Sequence, residues 1–154
     1  MSEAAQETIL LRPVPACGNA RMLVYAMRRM AVGGLNDAFA ANALLSLFGA
    51  RARRPTMLLR AMMAEIARSS QRQIVIAPCC CRMLTHAEAE MLLILTNAQD
   101  RPRFAHARIC SLLESEHALG VLSSVQAVAQ AFSDLGRPIG NQAEEEADPA
   151  FPID

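Results

Sequence analysis

The chain has 154 residues, of which 53% are apolar, yet it contains one Tyr, five Phe and no Trp. A core must therefore be built from Leu, Ala, Met, Ile and Val, a composition that favours helices over sheets. No apolar run reaches the roughly 20 residues needed to cross a bilayer, and the first eight residues are acidic, unlike a secretory signal. We expect a cytoplasmic protein that does not enter a membrane.

Charge is distributed unevenly, although the net charge is zero. Residues 1–72 contain ten Arg and four acidic residues, a net charge of +6, whereas residues 73–154 contain five Arg and eleven acidic residues, a net charge of −6. Opposite charges on two surfaces favour head-to-tail or two-fold pairing of identical chains. A homo-oligomer is therefore a predicted assembly.

Three helices are predicted in the first half of the chain, after an irregular lead-in over residues 1–18 that contains Pro13 and Pro15. They span about 20–32, 36–48 and 55–69, where apolar residues recur at helical spacing. In the first of these helices the spacing assigns Arg21 and Arg28 to the polar face. Asn19 is the predicted N-cap.

The second half of the chain begins with an extended apolar segment, residues 73–78, followed by three more predicted helices. The sequence Thr85-His86-Ala87-Glu88 matches a capping box, which predicts that a helix starts near His86. The helices span about 86–98, 102–115 and 121–135.

The sequence therefore predicts an all-α, single-domain bundle of five to six helices, formed by residues 19–140. Residues 141–154 contain Glu144-Glu145-Glu146 and two prolines. This composition predicts a disordered acidic tail.

Three consecutive cysteines, Cys79-Cys80-Cys81, lie between the extended segment and the fourth predicted helix. Thiolates are nucleophiles and soft metal ligands, and the positive end of a helix dipole favours them. Adjacent residues of an extended chain point in opposite directions, so at most two of these thiols can face one ion. Cys81 is the favoured thiolate, because it is nearest to the predicted helix and Arg82 follows it.

Other residues extend the cysteine triplet into a hypothetical metal site. His106 and Cys110 are four residues apart and share a helix face. The predicted ligands are Cys79, Cys80, Cys81, Cys110 and His106, with zinc, copper or an iron–sulfur cluster as the bound group. His86 and Cys17 are alternative ligands. No CxxC pair is present, and Cys17 and Cys110 are also interpretable as small buried apolar residues.

Other function classes lack their signature residues. The chain contains no glycine-rich phosphate loop, nucleophile elbow or carboxylate pair for acid–base catalysis, so no enzyme class is indicated. The Arg51–Arg54 cluster has no interleaved aromatic residues, which favours a solvated loop over a nucleic-acid surface. Two hypotheses follow: a thiol site that binds metal or responds to oxidation, and a helical self-association or protein-interaction module without chemistry.

The residues around the triplet also carry a family resemblance. The segment Ala77-Pro78-Cys79-Cys80-Cys81-Arg82-Met83, together with Asn19-Ala20-Arg21 and Arg28-Arg29-Met30, resembles a small bacterial family of unknown function. The resemblance extends over about residues 13–139 and leaves out the acidic tail. It implies a single domain and no particular activity.

Overall fold

The computed structural model describes residues 10–140. The elements in chain order are β1 (Leu10–Pro13), α1 (Gly18–Gly33), α2 (Ala38–Phe48), a 3-10 turn (Gly49–Arg51), α3 (Arg53–Ser69), β2 (Met83–Thr85), α4 (His86–Asn97), α5 (Pro102–Leu113) and α6 (Leu119–Asp134). The predicted helical bundle is confirmed, with six α-helices in this range. None of these helices is long and apolar enough to cross a membrane. The predicted acidic tail, residues 141–154, lies outside the described residues.

The helices bury a largely aliphatic core, as the composition predicts. Helix α1 packs on α2, α4 packs on α5, and α3 has its most extensive contact with α6. Leu23, Leu44 and Leu59 are fully buried in this core. Phe132 of α6 is also fully buried, and its ring packs edge-on against Phe48 with 4.9 Å between the ring centroids. Close packing of this kind makes the bundle a rigid support for the loops at its surface.

The first two helices begin differently from the sequence prediction. Asp37 is the N-cap of α2, because its side chain accepts a hydrogen bond of 2.9 Å from the Ala40 amide. The N-cap of α1 is Cys17, whose side chain makes no capping hydrogen bond. The predicted cap, Asn19, instead donates from Nδ2 to the carbonyl oxygen of Pro138 at 3.0 Å. This contact joins the start of α1 to the segment that follows α6.

The only sheet among residues 10–140 is a two-stranded antiparallel pair of β1 and β2, in which Pro13 lies opposite Met83. Part of the predicted irregular lead-in therefore forms a strand. The extended segment predicted at residues 73–78 contains no paired strand. Strand assignment depends on a partner as well as on apolar character, and β1 pairs with residues that follow the cysteines rather than precede them. The sheet thus lies directly after the cysteine triplet.

Candidate functional site

A buried ion pair lies beneath residues 77–82, which carry the three cysteines and are called the cysteine loop below. The pair joins Arg28 of α1 to Glu88 of α4, with side chains only 2% and 3% exposed. Arg28 Nε donates to Glu88 Oε1 at 2.8 Å, and Nη2 donates to Oε2 at 2.7 Å. Two parallel bonds of this kind satisfy both charges and fix their relative orientation.

The rest of the Arg28 guanidinium holds the backbone that follows the cysteines. Nη1 donates to the carbonyl oxygen of Cys81 at 2.6 Å, and Nη2 donates to that of Met83 at 2.8 Å. These two oxygens receive charge-assisted hydrogen bonds, which are stronger than those between neutral groups. Arg28 therefore fixes the end of the cysteine loop from below.

Glu88 holds the backbone on both sides of the cysteines. Its Oε1 accepts from the Ala77 amide and its Oε2 accepts from the Thr85 amide, both at 3.0 Å. The Glu88 amide donates to Thr85 Oγ1 at 3.1 Å, which completes the predicted capping box. The Thr85 hydroxyl also donates to the carbonyl oxygen of Val75 at 2.8 Å. The cysteine loop is thus tied to α4 before and after the triplet.

Both members of the pair are charged at neutral pH. Burial favours a raised pKa for Glu88, but hydrogen bonds from Arg28, Thr85 and Ala77 outweigh it, so the pKa lies below the ordinary value of 4.5. The hydrogen bond to Glu88 is the main reason why the pKa of Arg28 is raised above its ordinary value. The carboxylate is therefore held as an anion although it is buried.

This lowered pKa predicts a pH dependence of stability. Glu88 has a lower pKa in the folded chain than in the unfolded chain, so its stabilising contribution is complete above its ordinary pKa of 4.5 and is lost as the pH falls through the folded pKa. We expect Glu88→Gln to be less stable at neutral pH and to lack this part of the acid-induced loss. Urea unfolding from about pH 7 to about pH 3 measures both effects.

The exposed residue Glu116 provides the control for this experiment. The substitution Glu116→Gln is expected to leave the free energy of unfolding at neutral pH nearly unchanged, because Glu116 lies at the surface and surface substitutions have small effects. Parallel pH profiles for the native chain and the Glu88→Gln variant would contradict the assigned role of Glu88.

The three thiols lie in different surroundings. Cys79 and Cys81 are half-buried, whereas Cys80 is exposed. The Cys81 amide donates to the carbonyl oxygen of Pro78 at 3.0 Å, so the triplet is part of a tight turn.

Cys79 lies beside a second arginine of α1, Arg29. The pKa of the Arg29 guanidinium is raised, first by its hydrogen bond to Asp37 and also by the Cys79 side chain. Arg29 Nη2 is 2.9 Å from Asp37 Oδ2, and the guanidinium carbon is 4.7 Å from the centroid of the Phe39 ring. Arg29 therefore holds Asp37 and Phe39 and lies next to the Cys79 side chain.

The helix dipole has less influence on the triplet than the sequence argument for Cys81 assumes. Strand β2 separates the triplet from the first residue of α4, and the dipole effect fades within one helical turn. Thr85 and Glu88 occupy the start of α4 instead. Helix α1 supplies the cations beside the triplet, with Arg29 next to Cys79 and Arg28 bonded to the Cys81 carbonyl oxygen.

The other sequence-predicted ligands lie on different elements. His106 and Cys110 face each other on α5, with Cys110 Sγ 3.8 Å and 3.9 Å from the two ring nitrogens. Cys110 is half-buried against the core. Cys17 is exposed, so the expectation that it is a buried apolar residue is wrong. Within the described part of the chain, no three Cys, His, Asp or Glu side chains are placed to hold one metal ion. The five-ligand metal site therefore stays a prediction.

The sequence interpretation missed the pairing of Arg28 with Glu88. It placed Arg28 on the polar face of α1, which is wrong, because the side chain is 2% exposed. Arg28 lies one helical turn after the buried Val24, at the edge of the apolar face. One signal in the sequence does indicate that Glu88 is buried, namely its place in a capping box at the start of an apolar helix. This signal does not identify Arg28 as its partner.

The fold and the site define a small helical protein in which a buried Arg–Glu pair positions a cysteine-bearing loop. The chain belongs to DUF6628, a family of unknown function, whose model matches residues 1–127. The match includes the ion pair and the triplet and ends within α6, and it confirms the resemblance to an uncharacterised family. No match was found among curated proteins or among solved structures.

Proposed function

We propose that the protein is a redox-responsive thiol protein of the cytoplasm and that Cys79 is its reactive residue. The observation that carries this proposal is the position of Cys79 beside Arg29, in a loop that Arg28 and Glu88 hold on both sides. All five cysteines are free, which agrees with a reducing compartment. A rigid loop with an adjacent cation is a suitable setting for a sensor thiol.

The proposed oxidant is a peroxide. The Cys79 thiolate attacks one oxygen of the O–O bond, so that an S–O bond forms and the O–O bond breaks. The sulfur loses two electrons and becomes a sulfenic acid, while the departing oxygen takes up a proton and leaves as water or an alcohol. Arg29 stabilises the attacking thiolate in this step.

Cys81 is the proposed resolving residue. Its thiolate attacks the sulfenic sulfur, the S–S bond forms, and the S–O bond breaks as hydroxide leaves and is protonated to water. An unstrained disulfide needs about 4.4–6.8 Å between its Cα atoms, whereas adjacent residues are held at about 3.8 Å by a trans peptide. Cys81, two residues from Cys79, is therefore better placed than Cys80.

Mass spectrometry of the reduced full-length protein, treated with hydrogen peroxide and a sulfenic-acid trap, tests the proposal. We expect Cys79 to be trapped first, Cys79→Ser to abolish oxidation of the loop, and Arg29→Met to slow it. Cys17→Ser is the matched control, because Cys17 is an exposed cysteine outside the loop. Oxidation of Cys79 no faster than that of Cys17 would contradict the proposal.

A second candidate is a metal site with Cys79, Cys80, Cys81, Cys110 and His106 as ligands. The pairing of His106 with Cys110 supports it, since two side chains already converge. Elemental analysis and an absorption spectrum of protein purified without oxygen would detect zinc, copper or an iron–sulfur cluster. One bound metal ion or cluster per chain, lost in Cys79→Ser, would replace the redox proposal.

A third candidate is a self-association module, with a homo-oligomer as its product. Large apolar side chains are exposed on the helices, and Val32 and Leu119 are 74% and 69% exposed. Sedimentation at several salt concentrations tests this candidate. An oligomer that persists when the three triplet cysteines are changed to Ser would support it, whereas a monomer under all conditions would exclude it.

A further inference from the structure

A shallow depression lies at the corner between α2 and α3. Its volume is about 450 Å³, and it is lined by Arg51, Arg53, Arg54, Met57 and Leu58. Met57 is 56% exposed, so the three arginines surround an accessible apolar surface. We call this feature the basic depression.

Most of the positive charge of the basic depression has no acidic partner nearby. Arg54 pairs with Asp134 at 3.1 Å, but both side chains are largely exposed, at 58% and 42%. Arg51 and Arg53 form no ion pair with any acidic residue in the range 10–140. The first turn of α3 also lacks a side-chain cap and contains no acidic residue. Together these groups favour an anionic occupant.

We propose that the basic depression binds the acidic segment of the same chain, residues 144–151. In this arrangement Glu144, Glu145 and Glu146 lie against the arginines, and Phe151 packs on Met57. The proposal is independent of the thiol chemistry of the cysteine loop.

Charge and composition support this occupant. Residues 141–154 contain five acidic residues and no basic residue, so their charge is complementary to that of the depression. Phe151 is the one aromatic residue of this segment, and it matches the apolar surface of Met57. The segment presents acidic residues first and an aromatic residue after them. The lining of the depression presents arginines first and Met57 after them, so the two orders are complementary.

The end of α6 lies beside the depression, so this segment is tethered within reach of it. Helix α6 ends at Asp134, which already contacts Arg54 on the rim. Glu144 is ten residues further along the chain, a distance of at most about 36 Å. The hydrogen bond from Asn19 to the Pro138 carbonyl oxygen holds the chain near the start of α1 at this point. Because α1 and α2 form a hairpin, this is also the end of the bundle where α2 leads into Arg51. Tethering at such short range gives a high effective concentration.

The absence of tryptophan from the sequence allows a direct test in the full-length chain. Phe151→Trp introduces a single tryptophan, whose emission is expected to be blue-shifted and protected from quenching by acrylamide. Arg51→Glu combined with Arg53→Glu is expected to shift the emission to that of free tryptophan in water. Arg21→Glu combined with Arg103→Glu is the control, because it reverses two exposed arginines on α1 and α5, and it should change nothing.

Two further measurements make the outcome decisive. In the chain with native Phe151, changing the three glutamates Glu144, Glu145 and Glu146 to Gln should shift the NMR signals of the Met57 and Leu58 amides. Protection of the tryptophan should also be independent of protein concentration. If Phe151→Trp with native arginines already emitted like free tryptophan in water, the proposal would be overturned. If the tryptophan of a dimer lost its protection from quenching on dilution, the acidic segment would bind a second copy of the chain, and the proposal of binding within one chain would be overturned.

Discussion

The substitution Arg28→Met is expected to lower the free energy of unfolding by about 3–5 kcal/mol, because it removes one partner of a buried ion pair. Glu88 then remains buried without its cation. The carbonyl oxygens of Cys81 and Met83 also lose their donor, and unsatisfied buried polar groups add to the cost. Urea unfolding at neutral pH measures the loss.

The neighbouring substitution Arg29→Met is the matched control. Arg29 also pairs with an acidic residue, Asp37, and the two side chains are 22% and 8% exposed. Asp37 keeps the hydrogen bond from the Ala40 amide when Arg29 is removed, so a smaller loss than for Arg28→Met is expected. Combining Arg28→Met with Glu88→Gln should cost less than the sum of the two single changes, since neither charge is then left alone. Equal losses for Arg28→Met and Arg29→Met would refute the role assigned to the buried pair.

A second large loss of stability, about 3–5 kcal/mol, is expected for Phe132→Ala in the core. The Phe132 side chain is completely buried, and its edge-to-face contact with Phe48 is lost with the ring. The residual cavity lies in the core around α6, where relaxation of the packed helices is restricted. Thermal or urea unfolding of the variant measures the effect.

Phe39→Ala is the control for Phe132→Ala, and it tests whether the loss of unfolding free energy depends on how deeply the ring is buried. Phe39 is 61% exposed, and its main contact is the guanidinium of Arg29. Removing the ring should cost no more than about 1 kcal/mol, the usual value for an exposed cation–π contact. If Phe132→Ala lowered the free energy of unfolding as little as Phe39→Ala does, the packing around Phe132 would be less complete than the structure implies.

Local signals in the sequence predict the helices well. The start of α4 is confirmed at His86 because the capping box lies within four consecutive residues, Thr85 to Glu88. The helical spacing of apolar residues and the Gly and Pro breaks likewise depend on short segments. These patterns place six helices without any knowledge of which helices are neighbours.

Features that depend on distant residues could not be predicted in this way. Arg28 and Glu88 are 60 residues apart, and the helical spacing of α1 alone assigns Arg28 to the polar face. Strand β2 forms at Met83–Thr85 because β1 provides a partner there, although residues 73–78 have the stronger apolar character. The proximity of Cys79 to Arg29 also follows only from the approach of the cysteine loop to α1. The composition of the candidate site is visible in the sequence, but its geometry requires the tertiary fold.

The buried pair has a consequence for the evolution of this chain. A lineage that replaces either Arg28 or Glu88 first must pass through a protein destabilised by several kcal/mol, a large fraction of the 5–15 kcal/mol typical of small domains. Replacing both at once avoids the unpaired charge but removes the hydrogen bonds that hold the backbone around the cysteines. The two positions should therefore co-vary among homologous sequences, and their loss should coincide with a change in the cysteine triplet.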